Sequence, residues 1–198
     1  MHKIIDIKCK NCGASINNAT FKCEYCSANY YLQEEDCSLN NDDLLQHIVA
    51  LLSENPNNVN LNYSTGLMFL KRKMFQRASL CFSNAILNNV NNVEAYYYYV
   101  ISLLDGKKPF MCSREIINKC EKHLKVAISI SNSAKYYFLY SYIKYDYFER
   151  KYLNTSPTYK ELLEKAVNLG ISINEAKKIY DLIGIDGEYY LKLLNNLF

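Results

Sequence analysis

Residues 59–92 read VNLNYSTGLMFLKRKMFQRASLCFSNAILNNVNN. Tyr63 opens a helical pattern in which Gly66 and Phe69 follow at steps of three residues. After a polar break, small and aromatic residues recur at steps of four and three, at Ala78, Phe82 and Ala85. This spacing places apolar side chains on one face of a helix. The stretch therefore predicts two amphipathic helices joined by a turn at Lys73-Met74.

The hairpin resembles the tetratricopeptide repeat (TPR), a repeat of 34 residues that folds as a helix–turn–helix unit. In that family a small residue at the position of Gly66 lets the two helices approach closely, and Ala78 and Ala85 do the same on the second helix. Phe69 and Phe82 fill the space between them. The proline that ends the family's repeat is replaced here by Val90.

Two looser copies follow, which gives repeats near 59–92, 93–132 and 133–170. The second copy contains an insertion of about eight residues relative to the 34-residue repeat, around Asp105–Pro109. Its second helix places Cys120, Leu124 and Ala127 in the slots of Ala78, Phe82 and Ala85. The third copy has a first helix near Ser133–Phe148, and in the second-helix slots it has Tyr159, Leu163 and Ala166.

The regions on either side of the repeats also read as helices. Acidic residues at 42–43 and apolar residues up to Leu52 predict a helix that ends before Pro56. Ser172 and Glu175 form a capping-box pattern for a helix over 173–183, which Gly184 ends, and 186–198 reads as a last helix. We expect the chain to consist of a small N-terminal module at residues 1–35 and a helical repeat domain at residues 36–198. The helices within residues 171–198 are expected to cap the end of the solenoid. The fold class is mainly α, a TPR-like α-solenoid with a small N-terminal β zinc ribbon.

The N-terminal module is marked by two C-x2-C pairs, Cys9/Cys12 and Cys23/Cys26. Each pair can form a tight knuckle that directs two thiolates at one ion, and Gly13 suits the turn. The segment resembles a zinc ribbon with rubredoxin-like knuckles, in a form that heads many multidomain bacterial proteins. That resemblance implies one bound Zn²⁺, although four thiolates also accept iron.

The expected zinc site is structural. Four cysteines complete a tetrahedral shell, whereas a catalytic site keeps a position open for water. The loop between the knuckles contains no His or Asp that could act as a base. Elsewhere the three histidines lie in three separate segments, and none of the common nucleotide-binding, hydrolase or metalloprotease motifs occurs. We therefore expect a protein that is not an enzyme.

The resemblance to TPR proteins also implies a binding face. The family's groove positions fall on Tyr63, Tyr97 and Tyr137, so three tyrosines in register predict an aromatic ladder on the concave face, with interhelical packing as the alternative. The partner-binding residues predicted in this way are Tyr63, Leu67, Lys71, Tyr97, Ile101, Tyr137 and Lys144; further candidates are Asn60, Leu70, Glu94 and Tyr145. The Lys and Asn clamp of the family's chaperone-binding members is missing here.

Composition limits the function classes. The formal net charge is +3, no N-terminal leader or membrane-spanning stretch is visible, and basic residues are scattered. The chain is expected to be a cytoplasmic adaptor that binds a protein or peptide through the concave face.

Two alternative functions stay open. One is a nucleic-acid-associated factor, in which Lys3, Lys8, Lys10 and Lys22 of the ribbon contact the phosphates of the nucleic acid. The other is a regulatory subunit that self-associates through the tyrosine face.

Overall fold

The structure is a computed structural model that describes residues 8–9, 11–14, 16–17, 22–26, 42–186 and 190–191. Most of the predicted N-terminal module at 1–35, residues 36–41 and most of the predicted last helix at 186–198 lie outside these residues. Within them the chain is predominantly α-helical, as predicted. None of the described helices is long and apolar enough to cross a membrane.

The described part contains two short strands and eight α-helices. The strands are β1 (Ile16–Asn17) and β2 (Lys22–Cys23), which pair antiparallel between the two cysteine pairs. The helices are α1 (Asp42–Glu54), α2 (Val59–Lys71), α3 (Phe75–Asn88), α4 (Val93–Leu103), α5 (Arg114–Ile130), α6 (Ala134–Ile143), α7 (Tyr159–Asn168) and α8 (Ile173–Ile183). Helix α2 thus begins four residues before Tyr63, because the Asn58 side chain accepts from the N–H groups of Asn60 and Leu61.

Helix boundaries follow local capping chemistry. The predicted capping box at Ser172 and Glu175 is present, and a second one, Thr158 with Glu161, starts α7. Gly184 ends α8 with a φ of 85°, a left-handed conformation that favours glycine. Lys73, in the turn between α2 and α3, also has a left-handed backbone conformation, with a φ of 57°.

The first hairpin, α2 with α3, packs as its sequence predicts. A Cβ at Gly66 would lie 2.8 Å from the Phe82 ring, so only glycine lets α2 approach α3 this closely. Ala78, Phe82 and Ala85 have no exposed surface. The small residues therefore set the distance between the helices, and Phe82 fills the gap.

The remaining hairpins stack beside the first. Helices α4 and α5 form hairpin 2, and α6 and α7 form hairpin 3; each helix from α2 to α6 packs on the next one in the chain. The predicted second-helix residues Cys120, Leu124 and Ala127 are fully buried. The result is a TPR-like α-solenoid with one continuous core through the described helices.

Helix α6 changes its winding before its predicted end. From Lys144 to Phe148 the chain is a π-helix, followed by a short 3-10 turn, Glu149–Lys151. Two buried charges lie in this π-helical segment. Lys144 pairs with Glu121 of α5, and Asp146 accepts from Arg150 at 2.6 Å and from the Phe110 N–H at 2.7 Å. These bonds attach the long α4–α5 connection to hairpin 3.

Candidate functional site

The four predicted metal ligands form a compact cluster. All four sulfur atoms of Cys9, Cys12, Cys23 and Cys26 lie within 4.8 Å of one another. The Cys9 and Cys26 sulfurs are 3.6 Å apart, and those of Cys12 and Cys23 are 3.5 Å apart. A tetrahedral ion with metal–sulfur bonds of about 2.3 Å needs sulfur–sulfur edges of about 3.8 Å. The cluster therefore has the dimensions of a four-thiolate metal site.

Backbone geometry in both knuckles supports thiolate ligation. Gly13 has a φ of 74°, and its N–H donates to the Cys9 carbonyl at 2.8 Å. In the second knuckle the N–H of Cys26 donates toward the Cys23 sulfur and lowers the pKa of that thiol, and the N–H of Tyr25 adds to the effect. Such a bond to a sulfur favours the deprotonated form of that thiol, whereas the neighbouring Cys23 sulfur raises the pKa of Cys12 despite a bond from the Ala14 N–H.

The thiols of Cys81 and Cys120 lack such surroundings. Burial raises the pKa of Cys81 to about 11 and also raises the pKa of Cys120. Both residues are buried free cysteines. Among the described residues, the four-cysteine cluster is the one group of three or more His, Cys, Asp or Glu side chains close enough to share a metal ion.

A continuous chain of aromatic rings runs between the first helices of the hairpins. The Tyr63 and Tyr98 centroids are 6.0 Å apart, those of Tyr98 and Tyr97 are 5.0 Å apart, and those of Tyr97 and Tyr136 are 5.6 Å apart. Tyr97, Tyr98 and Tyr136 are buried, whereas Tyr63 is half-buried. Tyr98 and Tyr136 were not among the predicted partner-binding residues, because neither falls on a groove position of the repeat.

Tyr137 lies apart from this chain of rings. It is half-buried, and the Lys165 ammonium of α7 lies 5.8 Å from its ring centroid. Tyr63 and Tyr97 thus belong to one interhelical aromatic row, while Tyr137 faces the second helix of its own hairpin.

The other predicted contact residues differ in exposure. Leu67 and Ile101 are 1% and 0% exposed, and Lys144 is 2% exposed and paired with Glu121. Lys71 is half-exposed at the end of α2. Of the predicted contact residues, Tyr63, Lys71 and Tyr137 are therefore half-buried and keep some exposed surface, whereas Leu67, Ile101 and Lys144 are buried.

A polar group borders the aromatic row at the start of α4 and α6. The Lys135 ammonium donates to Glu94 at 2.7 Å, and the Tyr136 hydroxyl donates to the same carboxylate at 2.7 Å. Burial and this carboxylate raise the pKa of Tyr136, so its hydroxyl stays protonated. We use the term inner face for the surface formed by the first helices α2, α4 and α6; this polar group lies at its edge.

A cleft of about 410 Å³ opens beside the π-helical segment. Aromatic and charged side chains form its walls: Lys108, Tyr142, Tyr145, Asp146, Arg150, Asp186 and Tyr190. Asp146 and Arg150 bond to each other within it, and the described lining contains no His, Cys or Ser beside a base.

Comparison with known proteins supports the fold. No protein-family profile matches the chain, and no curated protein matches it. Among solved structures it is similar to the crystal structure of MamA, with a TM-score of 0.55 and 17% sequence identity, over 82% of this chain and 89% of that chain. MamA is a TPR-like solenoid, and at this identity the likeness concerns the fold alone.

Proposed function

We propose that this chain is a non-enzymatic adaptor that binds a protein or peptide through the inner face of its TPR-like solenoid and carries one structural Zn²⁺ in its N-terminal cysteine cluster. The observation that carries the proposal is the stacked-hairpin fold, shared with MamA, with first helices aligned on one face. Extended helical repeats use that face to bind other proteins. A scaffold of this kind acts by equilibrium binding, without chemistry.

Zinc is the proposed metal because of the donor set. Four thiolates select zinc or iron, and sulfur spacings of 3.5 and 3.6 Å fit a closed tetrahedral shell. Such a shell leaves no position for water, so the ion would stabilise the module rather than activate a substrate. Its binding free energy would then be folding free energy for this short segment.

The accessible predicted residues define the contact region. Tyr63 offers a half-exposed ring with a polar tip, and Lys71 lies two turns further along α2 on a similar face. The side chains of Tyr97, Leu67 and Ile101 are buried beneath these contact residues and pack between the helices. We propose that a partner contacts Tyr63, Lys71 and Tyr137, together with the Glu94–Lys135 edge.

The test is an affinity pull-down from native lysate with identification of the bound proteins by mass spectrometry. Wild type is compared with a Tyr63→Ala/Lys71→Glu variant, shown by circular dichroism to be folded and by metal analysis to hold zinc. Lys125→Glu is the matched control, because Lys125 is exposed on α5, a second helix. We expect a specific protein to be lost from the double variant and kept by the control.

Other outcomes would point to the alternatives. Recovery of nucleic acid by both forms, with binding that falls steeply as salt rises and is lost in a Lys8→Glu/Lys10→Glu/Lys22→Glu variant, would replace the adaptor function with a nucleic-acid function. A concentration-dependent dimer in place of a protein partner would favour self-association. If neither a protein nor nucleic acid is recovered specifically, the inner-face proposal fails.

A further inference from the structure

Helix α8 lies across the inner face. It packs against α4 and α6, the first helices of hairpins 2 and 3. Its last turn reaches the α2–α3 turn of hairpin 1, where the Lys73 ammonium donates to the carbonyls of Asp181 and Leu182, the latter at 3.3 Å. The helix therefore connects the third hairpin to the first across the face that TPR-like proteins use for binding.

The side of α8 that faces the solenoid carries regularly spaced apolar residues. Ala176, Ile179, Tyr180 and Ile183 follow at i, i+3, i+4 and i+7, and none is more than 2% exposed. The Tyr180 ring meets the Tyr142 ring edge-on with centroids 5.0 Å apart, and its centroid lies 5.9 Å from that of Phe138. This spacing is how amphipathic helices bind grooves in other proteins.

Polar contacts lie at both ends of α8. Hydrogen bonds from Ser172 lower the pKa of Glu175 in the first turn, and the charges of Lys178 and Lys135 have smaller effects in the same direction. At the other end the Lys73 ammonium donates to the C-terminal carbonyls, where the helix dipole is negative. Exposed contacts of this kind contribute little affinity, so the four buried side chains account for most of the attachment of α8.

The short connection to α7 keeps α8 at the groove. Leu169, Gly170 and Ile171 separate α7 from the Ser172 cap, and Ile171 is buried. A segment tethered this closely has an effective concentration in the millimolar range, so a helix supplied from outside must compete with it.

We propose that the inner face is a groove for an amphipathic helix, that α8 is its resting occupant, and that a protein partner binds by inserting a helix of the same kind in place of α8. The partner helix would carry aliphatic or tyrosine residues at i, i+3, i+4 and i+7 and an acidic residue in its first turn. This inference rests on the adaptor function proposed above, for which it names the partner class.

The probe is a fluorescent synthetic peptide with the sequence of residues 171–186, added to the full chain. In an Ile179→Ala/Ile183→Ala variant, α8 loses apolar contacts with the groove. We therefore expect the variant chain to bind the peptide about ten-fold more tightly than the wild-type chain does. A peptide with Ile179→Asp and Tyr180→Asp is the matched control and is expected not to bind. Lys177→Ala, an exposed change on α8, should leave the chain like wild type.

A second measurement uses wild type alone. With isotope-labelled chain and excess unlabelled peptide, the amide signals of 173–183 are expected to move toward those of a released segment, while those of α3 and α5 stay in place. The inference is overturned if the folded variant does not bind the peptide, if the control peptide binds equally well, or if the α8 signals do not change in wild type.

The two proposals can fail separately. Recovery of a protein partner from lysate that the peptide does not displace would keep the adaptor function and overturn the helix-in-groove inference. Peptide binding with the expected controls, but with no protein recovered from lysate, would support the groove and count against the adaptor function.

Discussion

At the scale of single residues, two kinds of position control this protein. The four cysteines form a compact sulfur cluster, because each C-x2-C pair places two sulfurs on one turn and the two turns meet. Gly66 sets the distance between the two helices of the first hairpin because it has no side chain: a Cβ there would lie 2.8 Å from the Phe82 ring. Both effects are local, and a single substitution tests each of them.

We expect Cys23→Ser to abolish stoichiometric zinc binding, because three thiolates leave the tetrahedral shell open. Cys112→Ser is the matched control, since this thiol lies outside the cluster, and it should keep one zinc per chain. Metal content by elemental mass spectrometry after dialysis against a weak chelator checks the prediction. Iron in place of zinc in wild type, or full zinc retention in Cys23→Ser, would contradict it.

Gly66→Ala should destabilise the fold although alanine is the better helix former. Overpacking against Phe82 costs about 1–3 kcal/mol, which exceeds the gain of about 1 kcal/mol in helix propensity. Urea unfolding measures the difference, and Asn84→Ala, at an exposed site on α3, should change the free energy of unfolding by less than about 0.5 kcal/mol. Gly66→Ala combined with Phe82→Leu should recover part of the loss; an unchanged midpoint for Gly66→Ala alone would refute the close approach.

At the scale of elements, the contacts between α4, α5 and α6 depend on polar groups within apolar surroundings. Lys144 is buried and pairs with Glu121, and its ammonium lies 4.4 Å from the Phe148 ring centroid. His123 of α5 lies between the rings of Tyr96 and Tyr99, with centroid distances of 5.7 and 4.9 Å. Burial makes these groups sensitive to substitution and to pH.

Lys144→Ala should cost about 3–5 kcal/mol of unfolding free energy, because it leaves Glu121 with an uncompensated charge in a largely buried position. Lys119→Ala breaks an exposed pair with Glu115 and should cost less than about 1 kcal/mol. Chemical denaturation of both variants gives the comparison. Equal costs would show that the Lys144–Glu121 pair behaves as a surface contact.

Acid should weaken the fold through His123 at a pH below about 6.5. Burial, with a smaller effect from Lys122, lowers the pKa of His123 in the folded chain. The unfolded chain therefore binds the proton first, and stability falls as the pH drops from 6.5 through the lower folded value. Unfolding free energies measured between about pH 7.5 and pH 5 should show this slope, and His123→Phe should reduce it; identical slopes would exclude the residue as its source.

At the scale of the whole molecule, hairpin stacking and α8 together join the repeats. In an open solenoid each repeat contacts only its neighbours. Here one described core runs from Ile48 of α1 to Tyr190, and Lys73 links hairpin 1 to the end of α8. The three hairpins are therefore coupled both in sequence and across the inner face.

This coupling predicts cooperative unfolding of the helical body. Far-ultraviolet circular dichroism and tyrosine fluorescence should give coincident urea transitions, because the tyrosines lie in the same core as the helices. Tyr180→Ala removes the ring that α8 packs on α6 and should lower the common midpoint. Separate transitions for the two probes in wild type would show that the hairpins unfold independently.

Much of the architecture was predictable because it depends on local pattern. The positions of Gly66, Ala78, Phe82 and Ala85 predicted the first hairpin, and Ser172 with Gly184 predicted the bounds of α8. Exposure was less predictable: Leu67 and Ile101 occupy groove positions in the repeat pattern, yet both are buried. A repeat pattern assigns a residue to a helix face, but it does not say what else packs on that face.

The sequence by itself determined the two C-x2-C knuckles, the succession of helices and the TPR-like hairpins, because these follow from spacing, capping and helical periodicity within short segments. Only the tertiary structure decided the return of α8 across the inner face, the aromatic row through Tyr98 and Tyr136, and the burial of Lys144 against Glu121. These features join residues far apart in the chain. Their partners are selected by packing and by the need to pair buried charge, which no local pattern encodes.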